Sequence, residues 1–323
     1  MGKSAISLVS GRDYPRDWNQ FLDWFAGEEA CLSYLEQLRW PEGFVCPRCS
    51  DTDEPYRSSR GRLMCRGCRY QCTVTAGTEF DKTRTPLRTW FAAAWYLTNQ
   101  KLGVSALGLQ RVLGLGSYQT SWAMLHRFRR AMVRPGRERL SGKVEVDETY
   151  VGIRDSSKPL RRARRKSHTF RTLVAIAIEV QEPKGFGRIR LRRVPVASEA
   201  YLLPFVREAV EPGARVHTDG SPAYRSLPEH GYVHRQRVHL GSEDPAHVSM
   251  PGVHRVASLL KRWLLGTHQG AVQPNQLDYY LDEFTFRFNR RTSRSRGLLF
   301  YRLLEQAVVT QPVTYQRIAA RNA

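Results

Sequence analysis

Two kinds of residue in this chain are suited to chemistry by type and spacing. The first is a pair of cysteine pairs, Cys46-Pro-Arg-Cys49 and Cys65-Arg-Gly-Cys68, with fifteen residues between them. Each pair forms a tight knuckle, and four thiolates on two knuckles complete a tetrahedron around a structural Zn²⁺. A reducing cytosol argues against disulfides, so Cys46, Cys49, Cys65 and Cys68 are expected to hold zinc. Cys31 falls with Tyr34, Leu35 and Leu38 on the apolar stripe of a helix and is assigned to packing.

The second kind is a set of possible ligands for a hard cation. Asp147 follows Val144 and Val146 in VEVDETYVG, so Glu145 and Asp147 share the strand face opposite those valines. Asp219 lies just past the strand ARVHT, at its carboxyl end, where reactive groups collect in open α/β sheets. Two carboxylates brought together there repel unless a cation lies between them, and hard oxygen ligands suit Mg²⁺ or Mn²⁺. Taken singly, either aspartate is equally well read as a cap or turn residue. Further along, His254 and Lys261 stand seven positions apart on a helix whose apolar stripe is Val253, Val256, Ala257, Leu260 and Leu264. They project from one side of it, two turns apart; without the aspartates they read as surface residues.

These groups need elements to hold them. The 323 residues are enough for one substantial core and one or two small modules. Apolar spacing is helical from Trp24 to Leu38 and closes at Pro41 and Gly43; Tyr70 to Val74 reads as a short strand, and Pro86 opens an apolar helix, LRTWFAAAWYLTNQ. Ser105 and Ser117 are placed to cap two helices separated by Gly114-Leu115-Gly116, the outline of a helix-turn-helix. Beyond Pro135 the period changes. Strands at 144–151, 172–180, 187–196 and 214–218, with a helix from Glu199 to Val210, predict an α/β domain.

Charge narrows the partner. Lys and Arg number 51 against 30 Asp and Glu, a formal charge of +21, which points to a polyanion. Arg127 and Arg130 on the second helix of the pair, and Arg161, Arg162, Arg164, Arg165 and Lys166 in RRARRK, are the expected DNA-backbone contacts. Ribosomal and membrane-surface proteins share such a charge. No apolar run approaches the roughly 20 residues that span a bilayer, and the first residues carry no signal-peptide apolar region.

In order along the chain, LRWPEGFVCPRC (38–49), the second cysteine pair, VDETYVG (146–152), the Arg-rich stretch after it, PGARVHTDG (212–220) with Tyr224, LLKRWLLGTHQG (259–270) and YLDEFTFRFNRR (280–291) resemble the bacterial insertion-sequence transposases that carry a zinc ribbon ahead of a retroviral-integrase-like, ribonuclease H-type core. The resemblance implies an α/β fold, a ribonuclease H-like mixed sheet with flanking helices. It implies an N-terminal helix and zinc ribbon over 1–80, a helical, helix-turn-helix-like DNA-binding region over 81–136, the core over 137–305 and a tail over 306–323. It further implies a catalytic triad of two aspartates and a glutamate, with a lysine seven positions after the third member. Asp147, Asp219 and Lys261 match, residues 220–253 supply the expected gap, and His254 stands where the glutamate would be. Imidazole can ligate a divalent ion but is neutral and softer than carboxylate, which favours Mn²⁺ relative to Mg²⁺.

The implied reaction is phosphoryl transfer: metal-dependent cleavage at the element ends, then attack of the freed 3′ hydroxyl on target DNA. Lys261 would position a phosphate. The implied partners are the terminal inverted repeats, target DNA and further copies of the chain, with no membrane, in the nucleoid-associated bacterial cytoplasm. Three other readings stay open: a regulator that only binds DNA, a nuclease on the same core, and a copy disabled by His254, with Glu148, Glu243 or Asp244 as alternative sources of the third charge.

Overall fold

The computed structural model describes residues 8–59, 61–154, 169–236 and 250–320. Among these the helices are α1 (Trp18–Trp24), α2 (Glu28–Arg39), α3 (Leu87–Asn99), α4 (Ala106–Leu113), α5 (Tyr118–Ala131), α6 (Glu199–Ala209), α7 (Pro251–His268), α8 (Leu277–Asn289), α9 (Arg296–Ala307) and α10 (Tyr315–Ala319). The strands are β1 (Tyr56–Arg57), β2 (Leu63–Met64), β3 (Gln71–Cys72), β4 (Lys143–Arg154), β5 (Thr169–Val180), β6 (Phe186–Val194), β7 (Arg215–Thr218) and β8 (Val233–Gln236). They form two compact units, one from residues up to Arg134 together with Ser293–Ala320, the other from Pro135–Thr292. None of the described helices is long and apolar enough to cross a membrane.

In the first unit, β1, β2 and β3 make an antiparallel ribbon. The helices pack around aromatic rings. Phe300 of α9 is fully buried and lies 5.6 Å from Phe21, 5.8 Å from Phe91 and 5.5 Å from Trp95, centroid to centroid. Helix α9 was expected to belong to the second unit's core; its buried face, Leu299, Phe300, Leu303 and Leu304, instead completes this cluster. The helix expected from Trp24 starts only at Glu28, because α1 ends at Trp24 and Gly27 is the N-cap of α2. The α4–α5 pair matches its caps: Ser105 accepts the Gly108 N–H, Ser117 accepts the Gln119 N–H, and Gly114 turns the chain at φ +62°. Pro86 has no side chain able to cap α3. The Glu28 carboxylate does so instead, accepting the N–H groups of Leu87 (2.7 Å) and Arg88 (2.9 Å).

The second unit is built on a five-stranded sheet in the order β6-β5-β4-β7-β8. Strands β4, β5 and β6 form an antiparallel meander, whereas β4, β7 and β8 run parallel. Strand alternation sorts the side chains into two cores. Val144, Val146, Ala175 and Ala177 face α6; Ile176 and Ile178, cross-strand partners of Asp147 and Glu145, face α7 and α8. This strand order, with helices on both faces, is the mixed sheet with flanking helices expected from the resemblance. Strand β8 was not anticipated: Val-His-Arg-Gln has no apolar alternation and is an edge strand held by its parallel ladder to β7. Arg287 turns inward to Glu283, which is fully buried.

In the first unit, burial pushes the carboxyl of Glu79 up to about 7, against the pull of Arg130 and Arg127. One oxygen accepts Arg130 Nη1 at 2.7 Å, and the other is buried without a hydrogen-bond partner. The protonated form is thus favoured in the folded chain, so Glu79 supports stability below its ordinary 4.5 and loses that contribution as pH rises towards 7. Thermal melts from pH 4.5 to 7.5 should show the stability of the wild type falling relative to Glu79→Gln, by up to about 3 kcal/mol at the upper end; parallel curves would refute the assignment.

Candidate functional site

The four cysteines come together on two matching knuckles. In the first, the Cys46 N–H donates to the Asp51 carbonyl and the Ser50 N–H to the Cys46 carbonyl; in the second, the Cys65 N–H donates to the Tyr70 carbonyl and the Arg69 N–H to the Cys65 carbonyl. Ser50 and Arg69, each just after the second cysteine of its pair, take left-handed φ of 61° and 58°. All four sulfurs lie within 4.8 Å of one another, with Cys46–Cys68 at 3.7 Å and Cys49–Cys65 at 3.6 Å. The edge of a tetrahedron with Zn–S bonds near 2.3 Å is about 3.8 Å, so the thiolates fit zinc. Among the described residues they are the only three or more possible ligands gathered that tightly. Asp51 braces the second knuckle from outside, accepting the Gly67 N–H at 2.9 Å. Cys31 stands apart, its thiol pushed up to about 12 by burial, in keeping with packing. Metal analysis should find zinc equimolar with the wild-type chain and absent from Cys65→Ser; zinc retained at full occupancy in that variant would exclude the four-thiolate site.

The acidic site is assembled around β4. The parallel ladder pairs Lys143 with Arg215, Val144 with Val216 and Glu145 with His217. The last pair stands two residues before Asp147 and two before Asp219, which lies just past the end of β7 at Thr218. Both aspartates are half-buried. Asp219 leaves the sheet in an Asx turn, accepting the Ser221 N–H at 3.0 Å, and Ser221 then caps the short 3₁₀ turn Pro222–Tyr224. Burial pushes the Glu148 carboxyl up to about 7 despite the hydrogen bond it accepts from the Tyr224 hydroxyl, and the charges of Asp147 and Asp219 add to the rise. Asp147 and Asp219, both near enough to raise Glu148, are oxygen donors of the kind that suits a divalent cation.

Glu145 brings in the third element. Its side chain is 3% exposed, and Oε2 accepts the N–H groups of Gly252 (2.7 Å) and Val253 (3.1 Å) in the first turn of α7. Met250, the N-cap residue, supplies no side-chain hydrogen bond, so the carboxylate of β4 is the cap. Close approach requires glycine at 252, since a Cβ there would meet Glu145 Oε2 at 2.8 Å and Ile178 Cγ2 at 3.0 Å. His254 follows directly, half-buried, and Lys261 is exposed two turns on. Sequence reasoning placed Glu145 on the correct face but missed its role, because a cap supplied from another element leaves no local pattern. Glu145→Ala should cost about 2–3 kcal/mol in urea unfolding by stranding two buried donors, and Glu145→Gln, which keeps an acceptor, clearly less; equal losses would argue against the cap.

The expected DNA contacts fare differently. Arg161, Arg162, Arg164, Arg165 and Lys166 lie outside the described residues, as do Glu243 and Asp244. Arg127 and Arg130 are held inside the first unit: Arg127 donates to the Glu79 carbonyl, and Arg130 to the Glu79 carboxylate and the Gln311 carbonyl.

Residues 139–289 match the ISXO2-like transposase domain and residues 26–71 the transposase zinc-ribbon domain. A protein of the transposable element ISH50 of Halobacterium salinarum is 31% identical over 277 residues, 81% of this chain and 91% of its own length. Among solved structures, the catalytic core domain of BIV integrase is similar at 16% identity over 44% of this chain and 81% of that one, with a TM-score of 0.28. A simian T-cell lymphotropic virus intasome in complex with the PP2A regulatory subunit B56 gamma is similar at 16% identity over 59% and 70%, with a TM-score of 0.31.

Proposed function

The chain belongs to the ISXO2-like transposase family of insertion sequences, and from that membership we infer that Asp147, Asp219 and His254 form the centre at which it cleaves and joins DNA. The observation that supports this reading is the β4–β7 ladder, whose last pair lies two residues before both aspartates, together with the Glu145 cap that joins the first turn of α7 to the same strand. Asp147 and Asp219 would hold Mg²⁺ or Mn²⁺ by oxygen, with His254 as a nitrogen ligand. The chemistry such a cation supplies when bound is Lewis acidity at a phosphate oxygen and at the attacking hydroxyl. Lys261, on the same side of α7 as His254, neutralises and orients a DNA phosphate. The zinc ribbon and the basic segment 161–166 bind DNA backbone, the substrates are the element's terminal repeats and target DNA, and at least two copies of the chain act on paired ends.

The test is strand transfer of an oligonucleotide carrying the element's own end, in Mg²⁺ and in Mn²⁺. Asp147→Asn and Asp219→Asn should each lower transfer by 100-fold or more, on the order of 3 kcal/mol of barrier, while DNA binding measured by anisotropy stays within about threefold. Transfer retained in either variant sinks the assignment. Activity in the wild type that is higher in Mn²⁺ and falls in His254→Ala supports histidine as a working ligand. Inactivity rescued by His254→Glu marks a disabled copy, and cleavage without joining marks a nuclease.

A further inference from the structure

The sheet alone does not fix the two aspartates relative to each other. Pairing between β4 and β7 ends at Glu145–His217, two residues short of both, and β7 itself ends at Thr218. Asp219 is therefore carried on chain that has just left the sheet, braced locally by the Ser221 N–H and by the 3₁₀ turn that Ser221 caps. That turn ends in Tyr224, a fully buried side chain packed in the core between α6 and the sheet. Its hydroxyl donates back across to the carboxylate of Glu148, the residue next to Asp147 on β4.

We propose that Tyr224 and Glu148 are positioning residues, whose hydrogen bond sets the separation of Asp147 and Asp219 and thereby the affinity of the acidic centre for its divalent cation. The inference rests on the reading of that centre given above. The geometry suits the role. Only four residues separate Asp219 from Tyr224, and they are stiffened by an Asx turn and a 3₁₀ turn, so fixing the tyrosine ring fixes the aspartate. At the other end the lever is a single peptide, since Glu148 and Asp147 are neighbours on a strand paired throughout with β5. Successive strand side chains leave on opposite faces, so Glu148 holds the pair from the α6 side while Asp147 faces α7. Glu148 is thus a strap beneath the site and not a substitute for the missing third carboxylate. Burial and the neighbouring carboxylates keep the Tyr224 phenol well above its ordinary titration range, so it stays a donor.

The measurement is binding of Mn²⁺ alone to the zinc-loaded full chain, followed by the electron paramagnetic resonance signal of free Mn²⁺, with thermal melts of each variant alongside. Tyr224→Phe keeps the ring and removes only the hydroxyl; it should weaken Mn²⁺ binding about tenfold, the equivalent of one hydrogen bond. Glu148→Ala should do the same, and the double variant should be no weaker than either single one, because both remove one bond. Glu148→Gln, which retains an acceptor for the hydroxyl, should recover most of the affinity. Unaltered Mn²⁺ affinity in Tyr224→Phe, or losses that add in the double variant, would overturn the proposal. A lowered melting temperature without a change in affinity would also overturn it, in favour of a purely structural contact. If wild-type binding survives Asp147→Asn and Asp219→Asn together, the acidic centre itself is wrong and the strap falls with it.

Discussion

A carboxylate buried to 3% exposure must be met by donors or it destabilises the fold that buries it. Glu145 is met by two N–H groups and the positive end of α7, and this one contact determines where an eighteen-residue helix begins against the sheet. Because the acceptor sits on β4 two residues before Asp147, and the second donor sits one residue before His254, no freedom remains between the strand and the helix that carry them. Gly252 is the steric condition for it. The apolar stripe of α7 then seals over Ile176 and Ile178, the cross-strand partners of Asp147 and Glu145. The hydrophobic layer and the polar anchor therefore specify the same helix register.

The first unit uses the same device. Helix α3 begins directly after a proline, Pro86, likewise lacks a capping side chain at its own N-terminus, and likewise takes its cap from a distant glutamate, Glu28. Proline presets the first turn of a helix but leaves the donors of the next residues open. Closing them from elsewhere in the chain makes the helix conditional on tertiary contact. A locally capped helix such as α4, with Ser105, carries no such condition.

That distinction explains what the sequence disclosed. Asp147 and its strand face, the caps of α4 and α5, the apolar stripe of α7 and the cysteine knuckles all rest on spacing within one element, and each stands in the structure where its period puts it. Glu145 and Glu28 act across 107 and 59 residues, and nothing near either betrays its partner. Strand β8 escaped because an edge strand of four residues needs only a ladder on one side, not an apolar alternation. Arg127 and Arg130 read as phosphate ligands because a basic helix face looks the same in sequence whether it meets DNA or a buried carboxylate such as Glu79. Helix α9 was assigned by continuity to the wrong neighbour, since its stripe says that it is buried and not against what.

The ring of Phe300 lies among Phe21, Phe91 and Trp95, yet the whole stretch Pro135–Thr292 of the other unit is synthesised between Trp95 and it. The ribbon-bearing unit is thus finished last, although it is begun first. On the ribosome its aromatic core stays open until the other unit has been made in full, and a polypeptide released early lacks the helix that closes it. Truncated products therefore cannot assemble this unit as it stands here.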